Sequence, residues 1–218
     1  MYNAANRLSN AGWVRPKPGD ATLARRTAEA AAQTRADIVA AARALFAEHG
    51  FAATTTAEVA ARAGVTVGAL FHHFRGKVEL FGAVFDELDA EMNAFARARA
   101  QEAAGVKGFL EGYRAFLEFA QHADYHRIVL VESPVVLGSR FQKGRDLLRG
   151  PANIMQAVEA MIAQGGIPLQ PAKPLAMLLL GAINESAFAL ARGEVGVTME
   201  GCVRAMERLL KGSGTQKA

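Results

Sequence analysis

The 218-residue chain has a single cysteine, Cys202, which excludes an intrachain disulfide and a multi-thiolate zinc site. Its longest strongly apolar run, Leu175 to Ile183, falls well short of the roughly 20 residues that cross a bilayer. The first thirty residues hold no apolar stretch of the secretory type. There is no phosphate-binding glycine loop, nucleophile elbow, thiolate cluster or metalloprotease helix. Of catalytic residue types, Glu118, His122, Glu132 and Glu185 are within reach, but no orienting partner is visible. Strand pairs, solenoid-length repeats and low-complexity tracts are also missing. Disorder throughout is excluded by 51% apolar residues and a mean hydropathy of +0.09. What remains is the expectation of a cytoplasmic, all-helical chain that is not an enzyme.

Charge is unevenly spread. Residues 1–77 carry ten Lys or Arg against five Asp or Glu, whereas the remainder is close to neutral. A basic N-terminal third suits a head that binds a polyanion, and a solvated arm with scattered arginines would look the same. Charge alone leaves both open.

Helical periodicity divides the chain into about nine helices. From Asp20 the sequence is Ala-rich and helical, and Ile38, Ala41, Ala42, Leu45 and Phe46 form the first clear apolar face. It stops at His49-Gly50. A short helix with Val59, Ala60 and Ala63 inside ends at Gly64, and Thr66 caps another through Phe74. Longer helices are predicted over 77–101 and 106–121, then a short one capped by Asp124 through Val131, with Pro134 and Gly138 interrupting. Further helices follow over 140–164, kinked before Pro151, then 175–192 and 198–211. The divisions expected are a basic extension, partly helical, over 1–33; a head over 34–80; a larger helical body over 81–212; and a tail over 213–218.

The stretch from Thr56 to Phe74 has the spacing of a helix-turn-helix. Ala60, fifth from Thr56, allows close helix crossing; Gly64, ninth, permits the tight turn; Val65 and Leu70 bury the second helix against the first. An ordinary helical hairpin shares that spacing. The longer pattern is more specific. Ile38, Ala41-Ala42, Leu45-Phe46, Gly50-Phe51, Thr54-Thr55, Val59-Ala60, Gly64-Val65-Thr66, Gly68, Leu70-Phe71, His73-Phe74, Lys77 and Leu80, at these intervals, closely resemble the N-terminal domain of the TetR family of transcriptional regulators. Beyond residue 95 the resemblance is only architectural.

The resemblance implies that the helix matching 66–73 enters the major groove of DNA, with Thr66, Val67, Gly68 and Ala69 at the base edges. That set is poor in long polar side chains, so direct readout would lean on Thr66, apolar contact with thymine methyls, and water. Phe71 stands where the family commonly has a tyrosine, which removes one hydroxyl-to-phosphate bond and leaves a core aromatic as the other reading. His72, His73 and Lys77 fall at phosphate-contacting positions. Thr55 and Thr56 serve as caps and as phosphate donors, and Arg35 is a weaker candidate. Arg62 faces either DNA or solvent. The extension with Arg7, Arg15, Lys17, Arg25 and Arg26 is either a DNA-contacting arm or a mobile tail.

A regulator of this type also needs a ligand pocket and a dimer interface. The pocket is predicted from Phe95, Phe109, Tyr113, Phe116, Tyr125, His126 and Phe188, with Phe119 beside them, and from the polar residues that interrupt apolar runs: Glu132, Asn184 and Glu185. Such polar residues mark either a pocket or a helix–helix hydrogen bond, and Arg127 and Glu132 could form an ordinary ion pair. Glu118, His122 and His126 would share a face on one continuous helix, but a cap at Asp124 breaks it, so neither metal nor cofactor is expected. Apolar residues on the last two helices, notably Leu178, Ile183, Cys202, Val203, Met206 and Leu210, suggest a surface that meets a partner, which the resemblance implies is a four-helix dimer interface, with burial inside one subunit as the alternative. The expected partners are an inverted-repeat DNA operator, a second copy of the chain and a small apolar or aromatic inducer, with no membrane. A helical adaptor whose head no longer binds DNA is the competing function.

Overall fold

A computed structural model describes residues 18–138 and 149–212. The described residues fold into α-helices and one π-helical segment, with no strand among them. In chain order the helices are α1 (Pro18–Ala53), α2 (Thr56–Arg62), α3 (Val67–His73), α4 (Lys77–Ala100) and α5 (Gly105–Phe119). The π-helix Tyr125–Glu132 follows, then α6 (Ser133–Val136), α7 (Arg149–Ala163), α8 (Ala172–Ala191) and α9 (Met199–Lys211). The all-α expectation holds. The expected Arg7, Arg15 and Lys17 arm, the start of the 140–164 helix and the 213–218 tail lie outside the described residues.

Helix α1 runs through residue 33 without a break, so the division expected there is not an element boundary. From 25 to 37 its residues are exposed or at most half-buried. From Ile38 onward the predicted stripe is real: Ile38, Ala42 and Phe46 are fully buried. Phe46 meets Phe81 edge-on at a centroid distance of 5.2 Å and Phe51 at a tilt at 5.9 Å. The helix breaks at Gly50, whose φ of 81° and ψ of 168° lie in a region that only glycine enters without strain.

Pro134 does not interrupt the chain as the sequence suggested. It sits in the first turn of α6, where a missing N–H costs nothing. Pro151 lies in the described part of α7, and the segment before Arg149, where a kink was expected, is outside the described residues. The short helix expected from Asp124 through Val131 is present with Asp124 as its cap, but as a π-helix rather than an α-helix. Its i→i+5 pitch turns successive side chains differently from an α-helix, so it offers residues to two opposite neighbours. Tyr125, Val129 and Leu130 face the body, whereas Asp124, Arg127 and Glu132, at and within its ends, reach α1.

Two glycines shape the head. Gly64 has φ 68° with open space around a would-be Cβ, while a Cβ on Gly50 would lie 2.6 Å from Glu132 Oε1. Gly64→Ala should therefore cost about 1–2 kcal/mol, the ordinary left-handed penalty. Gly50→Ala should cost more, because the carboxylate must also be displaced. Urea midpoints at unchanged m-value measure both; equal losses would contradict the Glu132 contact.

Candidate nucleic-acid interface

The head is assembled by short-range caps. Thr55 accepts from the Glu58 N–H (3.2 Å) while its own N–H donates to Glu58 Oε2 (2.8 Å), a reciprocal box that starts α2. The Thr55 hydroxyl and backbone bonds hold the Glu58 carboxyl below the usual range. At the other end, the Val65 N–H reaches the Ala60 carbonyl at 3.0 Å across the Gly64 turn. Thr66 then caps α3 by accepting from the Ala69 N–H at 3.1 Å. Val59, Ala60, Leu70 and Phe74 are buried between α1, α2 and α3, which fixes the crossing.

The outer surface of α3 is thereby defined. Val67 (42% exposed) and Phe71 (49% exposed) lie one turn apart, flanked by Gly68, half-buried Ala69 and exposed His72. Phe71 is therefore not the core aromatic its other reading allowed. His72 and His73 sit in the last turn with rings edge-on at 5.6 Å. Thr56 is half-buried in the first turn of α2. Arg62 is spoken for: its guanidinium makes a two-pronged bond to Glu48 at 2.9 and 3.0 Å, tying α2 to α1. Arg35 lies over the Phe74 ring, 4.9 Å from its centroid.

Lys77 departs from the role its position implied. Its ammonium donates to the carbonyls of Phe51 (2.7 Å), Thr54 (2.8 Å) and Ala52 (3.3 Å), and sits 4.4 Å from the centre of the Phe51 ring. An ammonium has three donors, and all three are used within the protein. In this state Lys77 closes the end of α1 rather than presenting a free phosphate ligand.

Glu132 needs the same correction. It does not line the cavity of the body. Its carboxylate accepts from the Phe51 N–H at 2.9 Å and pairs with Arg127 at 3.8 Å. Arg127 in turn donates to the carbonyls of Ala47 (2.9 Å) and Glu48 (3.0 Å). Thus the Arg127–Glu132 ion pair exists, and both partners also grip the end of α1. A second grip lies about two turns back, where Arg43 bonds Asp124 (2.7 and 2.8 Å) and Glu91 (2.7 Å). Burial works against the Asp124 charge, but the bonds from Arg43 and from the Tyr125 N–H hold its carboxyl below the usual range.

Behind the π-helix lies a cavity of about 1050 Å³ between α4, α5, α7 and α8. Of the residues expected there, Phe109, Tyr113, Phe116, Tyr125, Asn184 and Phe188 line it. Phe95 does not; it is exposed and leans on Phe119 at 5.8 Å. His126 is half-buried but faces elsewhere, and Glu185 is exposed and paired with Arg192 at 2.8 Å. Sequence reasoning missed the polar feature of the cavity wall, where Asn153 donates to the buried Asn93 (2.9 Å) and Asn93 to the Asp89 carbonyl (2.7 Å). Burial pushes the Tyr113 phenol up to about 12 and raises Tyr125 as well, so both remain neutral.

The proposed interface residues divide in the same way. Ile183, Val203, Met206 and Leu210 are buried within the single chain, and Cys202 is half-buried, because α8 and α9 lay these residues on the body's own core. The apolar residues left outside are Leu178 (73% exposed), Met177 and Leu209. By length and composition alone α8 could cross a membrane, yet its buried side, from Ala176 to Ala189, packs on the rest of the fold.

Residues 38–84 match the model for bacterial regulatory proteins of the tetR family, and 106–213 match the tetracyclin repressor-like C-terminal domain. The HTH-type transcriptional regulator TtgR of Pseudomonas putida is 45% identical over 80 residues, which is 37% of this chain and 38% of TtgR. The probable acrEF/envCD operon repressor of Escherichia coli is 40% identical over 63 residues, 29% of each chain. The chain thus spans well under half the length of these curated relatives. The solved structure of a TetR-family transcriptional regulator from Pectobacterium atrosepticum is matched more fully: 34% identity, a TM-score of 0.69, 84% of this chain and 94% of that one. These relatives are regulators of transcription, not enzymes.

Replacing Lys77 by Met should lower the stability of the DNA-free protein by about 1.5–3 kcal/mol, since charge-assisted bonds to otherwise unpaired carbonyls are lost. Chemical denaturation measures it. A change within about 0.5 kcal/mol, as for an ordinary surface lysine, would return Lys77 to a purely DNA-facing role.

Proposed function

Because this chain belongs to the TetR family of bacterial regulatory proteins, we propose that it is a cytoplasmic, homodimeric repressor that binds an inverted-repeat operator and is released by a small ligand. The observation that carries this reading is the connection between an exposed α3 and a cavity of the body through the π-helix, which lines the cavity and grips the end of α1 that leads to α2 and α3. α3 supplies the surface for the major groove, with Thr56, His72 and His73 placed for the backbone on either side. In a two-fold dimer the paired α3 helices would reach half-sites one helical turn, about 34–36 Å, apart or somewhat more. Repression rather than activation is supported by the relative named as an operon repressor.

The dimer is proposed to form through α8 and α9. Met177, Leu178 and Leu209 are large and exposed, and Gly181, one turn beyond Met177, has nothing within 4 Å of a would-be Cβ. A second copy of the same pair would bury this ridge. The remainder of α8 and α9 supports the interface from behind rather than forming it.

The ligand is read from the cavity wall. Aromatic Phe109, Phe116, Tyr125 and Phe188 favour an apolar or aromatic body, and the Asn93–Asn153 pair and Tyr113 offer neutral hydrogen-bonding groups. A molecule pressing on Tyr125, Val129 or Leu130 would move the helix that carries Arg127 and Glu132. The end of α1, and α2 and α3 with it, would follow. The ligand's leverage on DNA binding equals its differential affinity for the two head positions.

Selection from a random duplex pool at about 0.15 M salt, where non-specific binding is partly suppressed, tests the reading. Wild-type protein is expected to enrich an inverted repeat. Leu178→Glu, which places a charge in the ridge, is expected to sediment as a monomer and to enrich none. No enrichment by a folded, dimeric wild type would overturn the repressor and favour the adaptor.

A further inference from the structure

We propose that α3 reads its operator chiefly through the 5-methyl groups of thymine, with Val67 and Phe71 as the specificity-determining side chains. This rests on the operator reading above and adds the chemistry by which the operator is told from other DNA.

The argument starts from what α3 has available. A helix entering the major groove presents its N-terminal residues and one outer ridge to the base edges. Here those residues are Thr66, Val67, Gly68 and Ala69, followed by Phe71 one turn on from Val67. The Thr66 hydroxyl accepts from the Ala69 N–H and so spends its short reach on capping the helix. Gly68 has no side chain and Ala69 only a methyl. No guanidinium, ammonium or side-chain amide lies among residues 66–71. Of the long cations nearby, Arg62 is committed to Glu48 and Lys77 to three carbonyls, while Arg75 lies beyond the C-terminal cap of α3, away from the N-terminal residues that face the base edges.

Two large apolar side chains nevertheless stand in water at the place where base contacts are made. Val67 and Phe71 are 42% and 49% exposed and form a continuous i, i+4 ridge, while Leu70 and Phe74 of the same short helix and its cap are buried. The hydrophobic periodicity of α3 thus runs past what its packing on α1 and α2 uses. Each base pair shows the major groove a pattern of donors, acceptors and, for thymine alone among the four standard bases, a methyl group. An apolar ridge cannot satisfy donors or acceptors, and G·C edges placed against it would lose their water without compensation. The methyl is the edge feature that such a ridge recognises, and burying both returns the exposed area to an apolar contact.

The probe is the inverted repeat recovered by selection, remade with deoxyuridine in place of thymidine at one position at a time. This removes a methyl and leaves every hydrogen-bonding group in place. At the positions facing α3, binding is expected to weaken by about fourfold per methyl. Where a T·A pair in such a position is exchanged for C·G, 5-methylcytosine should bind more tightly than cytosine. The Phe71→Ala and Val67→Ala proteins should bind the thymine duplex more weakly and show a reduced thymine-over-uracil preference at one position each. An inverted repeat bound equally well in its thymine and uracil forms at every position would overturn this inference and leave the operator reading standing. A uracil penalty that stays unchanged in both variants would also overturn it, assigning the methyl effect to duplex shape rather than to the ridge. Failure to recover any inverted repeat would remove the operator reading itself, and this inference with it.

Discussion

The end of α1 is the constraint on which the rest of the molecule depends. An α-helix leaves its last four carbonyls without intrahelical donors. Here the helix also stops against a folded body, where water cannot serve all of them. Side chains from two distant elements do so instead: Arg127 takes the Ala47 and Glu48 carbonyls, and Lys77 takes those of Phe51, Ala52 and Thr54. The Thr54 hydroxyl takes the Gly50 carbonyl at 2.8 Å, and Glu132 accepts from the Phe51 N–H just past the Gly50 break. Because these partners come from α4 and the π-helix, the direction in which α2 and α3 leave α1 is set by the body.

That arrangement divides the cations of the head between structure and recognition. Arg43, Arg62 and Lys77 hold helices together in the DNA-free state, as Arg127 does from the π-helix. The polyanion-binding character of the N-terminal third is therefore smaller than its formal charge, and residues such as His72, His73 and Thr56 stand at the surface instead. A helix with few polar side chains on its outer face can read sequence only through apolar contacts and shape. The same grip explains why a cavity in the body can matter to a helix on the far side of α1. The π-helix has one set of residues on the cavity and another on the α1 terminus, so the two sites share a rigid part.

The head was largely legible in the sequence because its determinants are local. Caps at Thr55 and Thr66, the breaks at Gly50 and Gly64, and the apolar stripe from Ile38 to Phe46 each depend on neighbours within a few residues. Six of the ten expected cavity residues line the cavity, and three of them, Phe109, Tyr113 and Phe116, were legible for a similar reason, since aromatics at helical spacing on α5 turn toward one side. The bond from Glu132 to the end of α1, and the carbonyls that Lys77 holds in the DNA-free state, were not legible because these partners lie 81 and 26 residues away. A carboxylate inside an apolar run announces that it needs a partner but not which one. Ile183, Val203, Met206 and Leu210 show the complementary failure: periodicity marks a face as apolar without saying whether the same chain or a second one covers it. The extent and cap of the segment from Asp124 to Val131 were legible, but its π pitch was not, because a 3.6-residue period does not detect it.

Amide hydrogen exchange at Phe51 tests the central claim most directly, because that N–H is bonded to a side chain of the π-helix and not to the helix that precedes it. In the ligand-free protein it should be protected well above an amide of the unfolded chain. Filling the cavity from α7 with Ala157→Phe should lower that protection selectively, leaving Ile38 to Phe46 unchanged, as the π-helix shifts and Glu132 lets go. A Phe51 amide that exchanges freely, or one whose protection ignores the filled cavity, would contradict the coupling of cavity to head.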